Sequence, residues 1–252
     1  MVMVSREKEG IKTMQTHKFI NGNTLKIIAV ITMFIDHLAV FLAKSGTDGV
    51  FYTSFPYTVM RAIGRTAFPL FAFLLVEGFM HTKSRGRYLI SILILAGISE
   101  PIYQMFFTED INELLHMKDS VNICFELAYS LIMLCILEKI EKVVNESAKA
   151  SIAQVIIAML FVLGGTFLPF DYAAGGIILI AALYIFRDMP IRKLLLGYAA
   201  LQISGMELWS IFAFILMYFY DGTRGRDIGR FKYLFYAFYP IHMLILYLLR
   251  QM

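Results

Sequence analysis

The sequence predicts an all-α protein, a polytopic transmembrane helical bundle of about nine spans, and three observations predict it. Hydrophobic residues make up 59% of the 252 and charged ones 17%, with a mean hydropathy of +0.68. A soluble domain is about a quarter charged. The apolar residues recur in blocks of helical length parted by short polar loops, whereas a membrane barrel would be written as alternating segments of about ten residues. Lys and Arg, finally, crowd into alternate loops. No nucleic-acid partner is expected; the lipid bilayer is.

Residues 1–23 read as a polar cytoplasmic tail. They hold no apolar stretch ending in a small-residue cleavage site, so no signal peptide is expected. Residues 24–252 read as a single transmembrane domain. Spans are expected near 25–43, 58–80, 88–107, 121–138, 151–168, 171–186, 193–206, 207–220 and 233–250. With that count, seventeen basic residues fall in loops on the N-terminal side, against Lys44, Lys118 and Arg250 on the other. Such a bias is what the positive-inside rule asks of a cytoplasmic N-terminus and an external C-terminus. Across 151–220 four candidate spans run only about 14 to 18 residues, short of the roughly 17 to 25 of a full crossing, so half-helices are an alternative there. Removing one span would invert the charge bias of every later loop. Cys124 and Cys135 stand eleven residues apart on one expected helix, about 16 Å, too far for a disulfide. No metal-ligand cluster is apparent, and no metal is expected.

Lys26 and His37 stand eleven residues apart within LKIIAVITMFIDHLAVFL. At about 100° per residue, eleven steps bring both side chains to one helix face roughly 16 Å apart. One strip of the first helix therefore offers an anion anchor at the membrane surface and a proton acceptor within it. A second histidine, His242, lies ten residues into the last expected helix and so at comparable depth. Adjacent residues point about 100° apart on a helix, so Asp36 is not automatically the partner that orients His37. Asp36 is a candidate partner for Arg61 or Arg65.

Asp36, Arg61, Arg65, Glu77, Glu100 and Glu126 fall in or near expected spans, and an ionised group at mid-bilayer costs about 2.5–3.5 kcal/mol on insertion scales. That cost implies pairing or function. Arg61 and Arg65 share a face, and Pro69 cannot donate to the Arg65 carbonyl, so a kinked polar notch is expected. Arg65 and Glu100 lie at similar depth, which predicts an interhelical salt bridge. Glu77 and His81, four apart at the inner helix end, either cap the helix or face a cytosolic ligand.

The segments LKIIAVITMFIDH, RAIGRTAFPLFAFLLVEGFMHTKS, ISEPIY, DYAAGGIILIAALYIFR and KYLFYAFYPIHMLILYLL, in this order, resemble the TraX family of membrane proteins over roughly residues 24–250. TraX proteins are associated with acetylation of the pilin N-terminus in conjugative systems, and they resemble the wider acyltransferase-3-type membrane acyltransferases. The resemblance implies an acetyl-CoA-dependent acetyltransferase of the bacterial inner membrane. In the wider group a basic residue, ten intervening residues and a histidine serve acyl-CoA phosphate binding and catalysis, a spacing that Lys26 and His37 match with Lys for the commoner Arg. A lysine remains a phosphate binder as a compact point charge.

Coenzyme A is a polyanion with a long thin arm, so a basic inner rim would dock its phosphates while the thioester threads toward His37. The loop DGTRGRDIGRFK supplies glycine N–H groups together with Arg224, Arg226, Arg230 and Lys232 for such a rim. His37 would take the proton of an acceptor amine or hydroxyl, with Arg65 or Tyr239 steadying the oxyanion and His242 a second catalytic candidate. Arg61, Glu77, Glu100 and Tyr239 are the candidates for contacts to the acceptor, be it a peptide, a sugar or another nucleophile. Two other classes stand beside this one. A proton-coupled transporter would also set His and carboxylates at mid-depth but would favour paired repeats, which the sequence does not display. A noncatalytic membrane scaffold would need none of the buried charges.

Overall fold

A computed structural model describes residues 18–45, 50–107, 120–144, 146–203, 205, 207–227, 229 and 232–252. Among them the chain forms ten α-helices and two short 3₁₀ turns, at Val50–Thr53 and Leu208–Ser210. The helices are α1 (Gly22–Ser45), α2 (Phe55–Gly64), α3 (Ala67–His81), α4 (Arg85–Phe107), α5 (Ile123–Val143), α6 (Ser147–Gly165), α7 (Ala173–Ile185), α8 (Pro190–Leu201), α9 (Ile211–Tyr218) and α10 (Lys232–Arg250). Five stretches are long and apolar enough to cross a bilayer: Gly22–Ser45, Phe55–His81, Arg85–Phe107, Ala148–Gly165 and Tyr233–Arg250. The all-helical membrane class thus holds.

Local chemistry sets several boundaries. Ser54 caps α2 by accepting from the Tyr57 N–H at 3.3 Å, with a proline in the first turn. Asn122 caps α5 by accepting from the Cys124 N–H at 3.0 Å. The expected notch around Pro69 is a full break: α2 stops at Gly64, the Thr66 N–H turns back to the Ile63 carbonyl, and α3 begins at Ala67. Pro69 sits in the first turn of α3, where its missing N–H is cheap.

The region expected to hold short spans does so. α7, α8 and α9 have 13, 12 and 8 residues, roughly 20, 18 and 12 Å at 1.5 Å per residue, against a hydrocarbon core of about 30 Å. The stretch 193–206 contains no continuous helix, since α8 ends at Leu201. In 207–220 a 3₁₀ turn precedes the two turns of α9.

α3 and α7 form the centre of the bundle. Leu70, Ala72, Phe73, Leu75, Val76 and Phe79 are buried on α3, and Gly175 to Tyr184 of α7 are buried nearly all round. α1 packs on α2, α3 and α10; α4 packs on α5 and α10; α6 lies outside α5 and α7. Outward residues such as Ile156, Met159, Leu160 and Leu163 of α6 are exposed and apolar, as lipid contact requires.

The chain entering α1 pairs with the chain leaving α9. Gly22 N–H donates to the Thr223 carbonyl at 2.8 Å, Asn23 N–H to the Arg224 carbonyl at 3.1 Å, and the Asn23 amide to the Arg226 carbonyl at 2.6 Å. These bonds hold Arg224 beside Lys26 across some two hundred residues of sequence.

Candidate functional site

On α1, Lys26, Met33 and His37 fall on one stripe; on α10, Phe235, Tyr239 and His242 do the same, since offsets of four, seven and eleven residues nearly complete whole turns. Where the stripes meet, His37 Nδ1 lies 2.6 Å from His242 Nε2, and the two rings lie edge to edge with centroids 4.9 Å apart and planes within 5°. Both imidazoles are buried, at 9% and 4% exposure.

The protonation pattern of the neutral pair follows from one backbone group. His242 Nδ1 lies 2.6 Å from the Phe238 carbonyl. A carbonyl oxygen can only accept, so His242 carries its proton on Nδ1 and its Nε2 is an acceptor. His37 must then donate from Nδ1, which leaves the lone pair on its Nε2. Around the pair stand Phe34, Phe106, Phe107, Phe238 and Tyr239, with ring centroids 4.6 to 6.4 Å from one imidazole or the other. A proton gained here would be held by aromatic faces and shared between two rings, not by a carboxylate.

A cavity of about 580 Å³ approaches this pair. Lys26, Arg224, His81, Lys83 and Glu77 line its mouth, and Met33, Phe71, Leu74, Leu75, Leu95, Leu127 and Tyr239 line its apolar interior. Met33 is one helical turn short of His37, and the Tyr239 ring lies 6.4 Å from that of His37. The cavity therefore joins a basic rim to the neighbourhood of the histidine pair through a greasy passage. Lys26 Nζ stands 5.4 Å over the Phe235 ring.

The other sequence candidates divide between this site and a second polar group. Glu77 accepts from the Tyr220 hydroxyl at 3.0 Å, and His81 Nδ1 bonds the Glu77 carbonyl at 2.8 Å while both side chains line the cavity; capping and facing the open space coexist. Arg226 contributes its carbonyl to Asn23 and does not line the cavity. Arg230 and the side chain of Lys232 lie outside the described residues.

Asp36 does not reach the imidazole. It pairs with Arg61 across α1 and α2, packed against Gly64. The expected Arg65–Glu100 bridge is corrected: Arg65 pairs with Glu207 at 3.0 Å and bonds Tyr172. Glu100 is instead held by neutral donors, the Gln104 amide at 2.6 Å, the Asn122 N–H at 2.9 Å and the Asn122 amide at 2.6 Å. Three such bonds to a carboxylate, about 1.5–3 kcal/mol each, satisfy it without a cation. Glu126, fully buried, accepts from the Tyr172 N–H at 3.1 Å.

Sequence reasoning missed Glu207, Tyr172 and the Phe238 carbonyl. An acid placed just before an apolar run was the one signal for Glu207. Nothing in a sequence marks a backbone oxygen as an orienting group, although its place four residues before His242 is the usual spacing for such a bond. Cys124 and Cys135 are both free, and no group of three potential metal ligands occurs among the described residues.

A probable fimbrial assembly protein of Dichelobacter nodosus (FimC, serogroup H1) is 27% identical over 243 residues, which covers 88% of this chain and 92% of that one. No solved structure gives a significant match. The family model described as TraX protein matches residues 21–250, nearly everything from the start of α1 to the end of α10, and the chain therefore belongs to the TraX family.

Proposed function

We propose that the chain is a membrane-embedded, acetyl-CoA-dependent acetyltransferase that passes the acetyl group to an acceptor amine, a peptide or pilin N-terminus, or to a hydroxyl. The observation that carries this reading is the cavity itself, basic at its mouth, apolar within, and reaching Met33 and Tyr239, one helical turn short of a histidine pair whose hydrogen bonds leave a lone pair on His37. Family membership and a relative named for fimbrial assembly support the acceptor class.

In the proposed reaction His37 Nε2 takes the proton of the acceptor as its nitrogen or oxygen bonds to the thioester carbon, and the carbon–sulfur bond breaks. The proton then passes to the departing thiolate. As Nε2 gains a proton, the Nδ1 proton can shift toward His242 Nε2, so that the charge spreads over both rings. A positioned base of this kind contributes about 10²–10⁴-fold. Tyr239 replaces Arg65 as the group to steady the oxyanion, because Arg65 is engaged by Glu207 and Tyr172 whereas Tyr239 lines the cavity beside His37. Lys26 and Arg224 bind phosphate oxygens at the mouth. The proposed orientation, with the N-terminus cytoplasmic in a bacterial inner membrane, sets that mouth, at the start of α1, on the side where acetyl-CoA is made.

The test is saturable thermal stabilisation of the purified protein by acetyl-CoA, joined to transfer of labelled acetyl to an N-terminal peptide. Stabilisation without transfer to any nucleophile would leave a binder. Neither effect would favour the transporter or scaffold classes.

A further inference from the structure

Beside the large cavity lies a shallower groove of about 280 Å³, lined by Thr82, Lys83, Ser84, Arg87, Tyr88 and Ser91. Thr82, Lys83 and Tyr88 line both spaces, so the groove continues the mouth of the cavity away from Lys26 and Arg224. Tyr88 is the shared wall. Its hydroxyl lies over Gly78 of α3, where a Cβ would stand only 2.8 Å from that oxygen, so the glycine is what lets the phenol lie there.

The groove offers two cations, the hydroxyls of Thr82, Ser84 and Tyr88, and no carboxylate, while the Ser91 hydroxyl donates to the Arg87 carbonyl at 2.8 Å. The intervening Arg85 does not take part: its guanidinium stands 4.3 Å over the Phe79 ring and pairs with Glu138 at 3.0 Å. Glu138 also holds Lys142, at 2.9 Å. The nearby acid is thus already engaged, and Lys83 and Arg87 form no ion pair among the described residues. Uncompensated cations flanked by O–H donors are a donor set for a phosphomonoester, which presents several oxygens and up to two negative charges.

A coenzyme A thioester carries phosphate in two places, a diphosphate on the arm and a separate phosphomonoester on the ribose, and one rim site cannot hold both. Resting on the acetyl-CoA reading above, we propose that the Thr82–Ser91 groove binds the 3′-phosphoadenosine end of the donor. Lys26 and Arg224 then hold the diphosphate, and the apolar cavity holds the thioester arm. The three parts of the donor meet three neighbouring surfaces in the order in which they are bonded to one another.

The experiment compares acetyl-CoA with 3′-dephospho-acetyl-CoA, by calorimetric titration of the full chain in phosphatidylcholine nanodiscs. The wild type should bind the dephospho compound about 10- to 100-fold more weakly, the range of charge-assisted hydrogen bonds. In the Lys83→Ala/Arg87→Ala double variant, whose side chains are exposed, the two donors should bind alike, both near the weaker value. Arg192→Ala, an exposed cation outside the lining, should keep the full discrimination. Equal affinities in the wild type, or discrimination that survives in the double variant, would overturn the proposal and leave the acetyl-CoA reading standing. Failure of both donors to bind would remove the reading itself. If phosphatidylglycerol in place of phosphatidylcholine abolishes discrimination by the wild type, the groove holds lipid phosphate and the proposal fails.

Discussion

His37 can serve as a base only while its free lone pair is on Nε2, and the Phe238 carbonyl enforces that through His242. His37→Gln keeps a polar group but cannot take the proton, so transfer should fall by about 10²–10⁴-fold with acetyl-CoA still bound; retention of more than about a tenth of wild-type turnover would assign the base elsewhere. His242 is separable from it. His242→Gln can still accept from His37 Nδ1 through Oε1 and should keep much of the activity, whereas His242→Ala frees the wrong tautomer and should lose roughly 10²-fold or more. Nitrogen-15 spectra of labelled histidine check this without substrate: neutral His37 should carry its proton on Nδ1 in the wild type and in His242→Gln, but not in His242→Ala. A third residue is informative for packing. A Cβ on Gly64 would fall within the Asp36 side chain, so Gly64→Ala should destabilise by about 1–3 kcal/mol. The cost should shrink in an Asp36→Ala background, as expected of residues in contact; additive losses in thermal unfolding would mean that the two do not touch.

At the scale of elements, the rim of the cavity is assembled from the start of α1 and the loop after α9, laced by backbone bonds from Gly22 and Asn23. Lys26→Ala should therefore weaken acetyl-CoA binding at least tenfold, the order of one lost charge-assisted contact, while detergent stability stays near normal because the residue is only half-buried at a helix end. Unchanged affinity would reduce Lys26 to an interfacial anchor. The helices themselves were readable to different degrees. α1, α4 and α10 carry long apolar runs that have few other structures to adopt in a bilayer. The break between α2 and α3 was foreshadowed by Pro69, whose missing N–H is a local fact. The region 151–220 was marked as short, but which of its segments fall below a full crossing was not, because Ala, Leu, Ile and Gly serve equally in a full span and in a half-helix buried by its neighbours. Burial of α7 on nearly every side is what makes its short length tolerable.

For the whole molecule, the distribution of basic loops predicts that a cytoplasm-active reporter fused after Lys232 is active and one fused at the C-terminus is not; activity at both points would remove α10 as a crossing. The alternation of basic loops that motivates this test is a one-dimensional signal, legible because each flanking Lys or Arg contributes to orientation regardless of what packs above it. By itself the sequence determined the membrane class, the all-helical architecture, and the family through its IDH, GRTAFPLFAF and FYPIH segments. It also placed Lys26 and His37 on one face, because eleven residues is a property of a single helix. It set His37 and His242 at one depth but not within 2.6 Å of each other. Nor did depth alone choose between Glu100 and Glu207 for Arg65, since many residues share a level in the bilayer and the rotation of each helix selects among them. That selection belongs to packing. The approach of α10 to α1 made a lone histidine into an oriented pair, and the lacing of the 219–226 loop to α1 brought Arg224 to Lys26. Both depend on contacts between residues some two hundred positions apart, which no local pattern encodes.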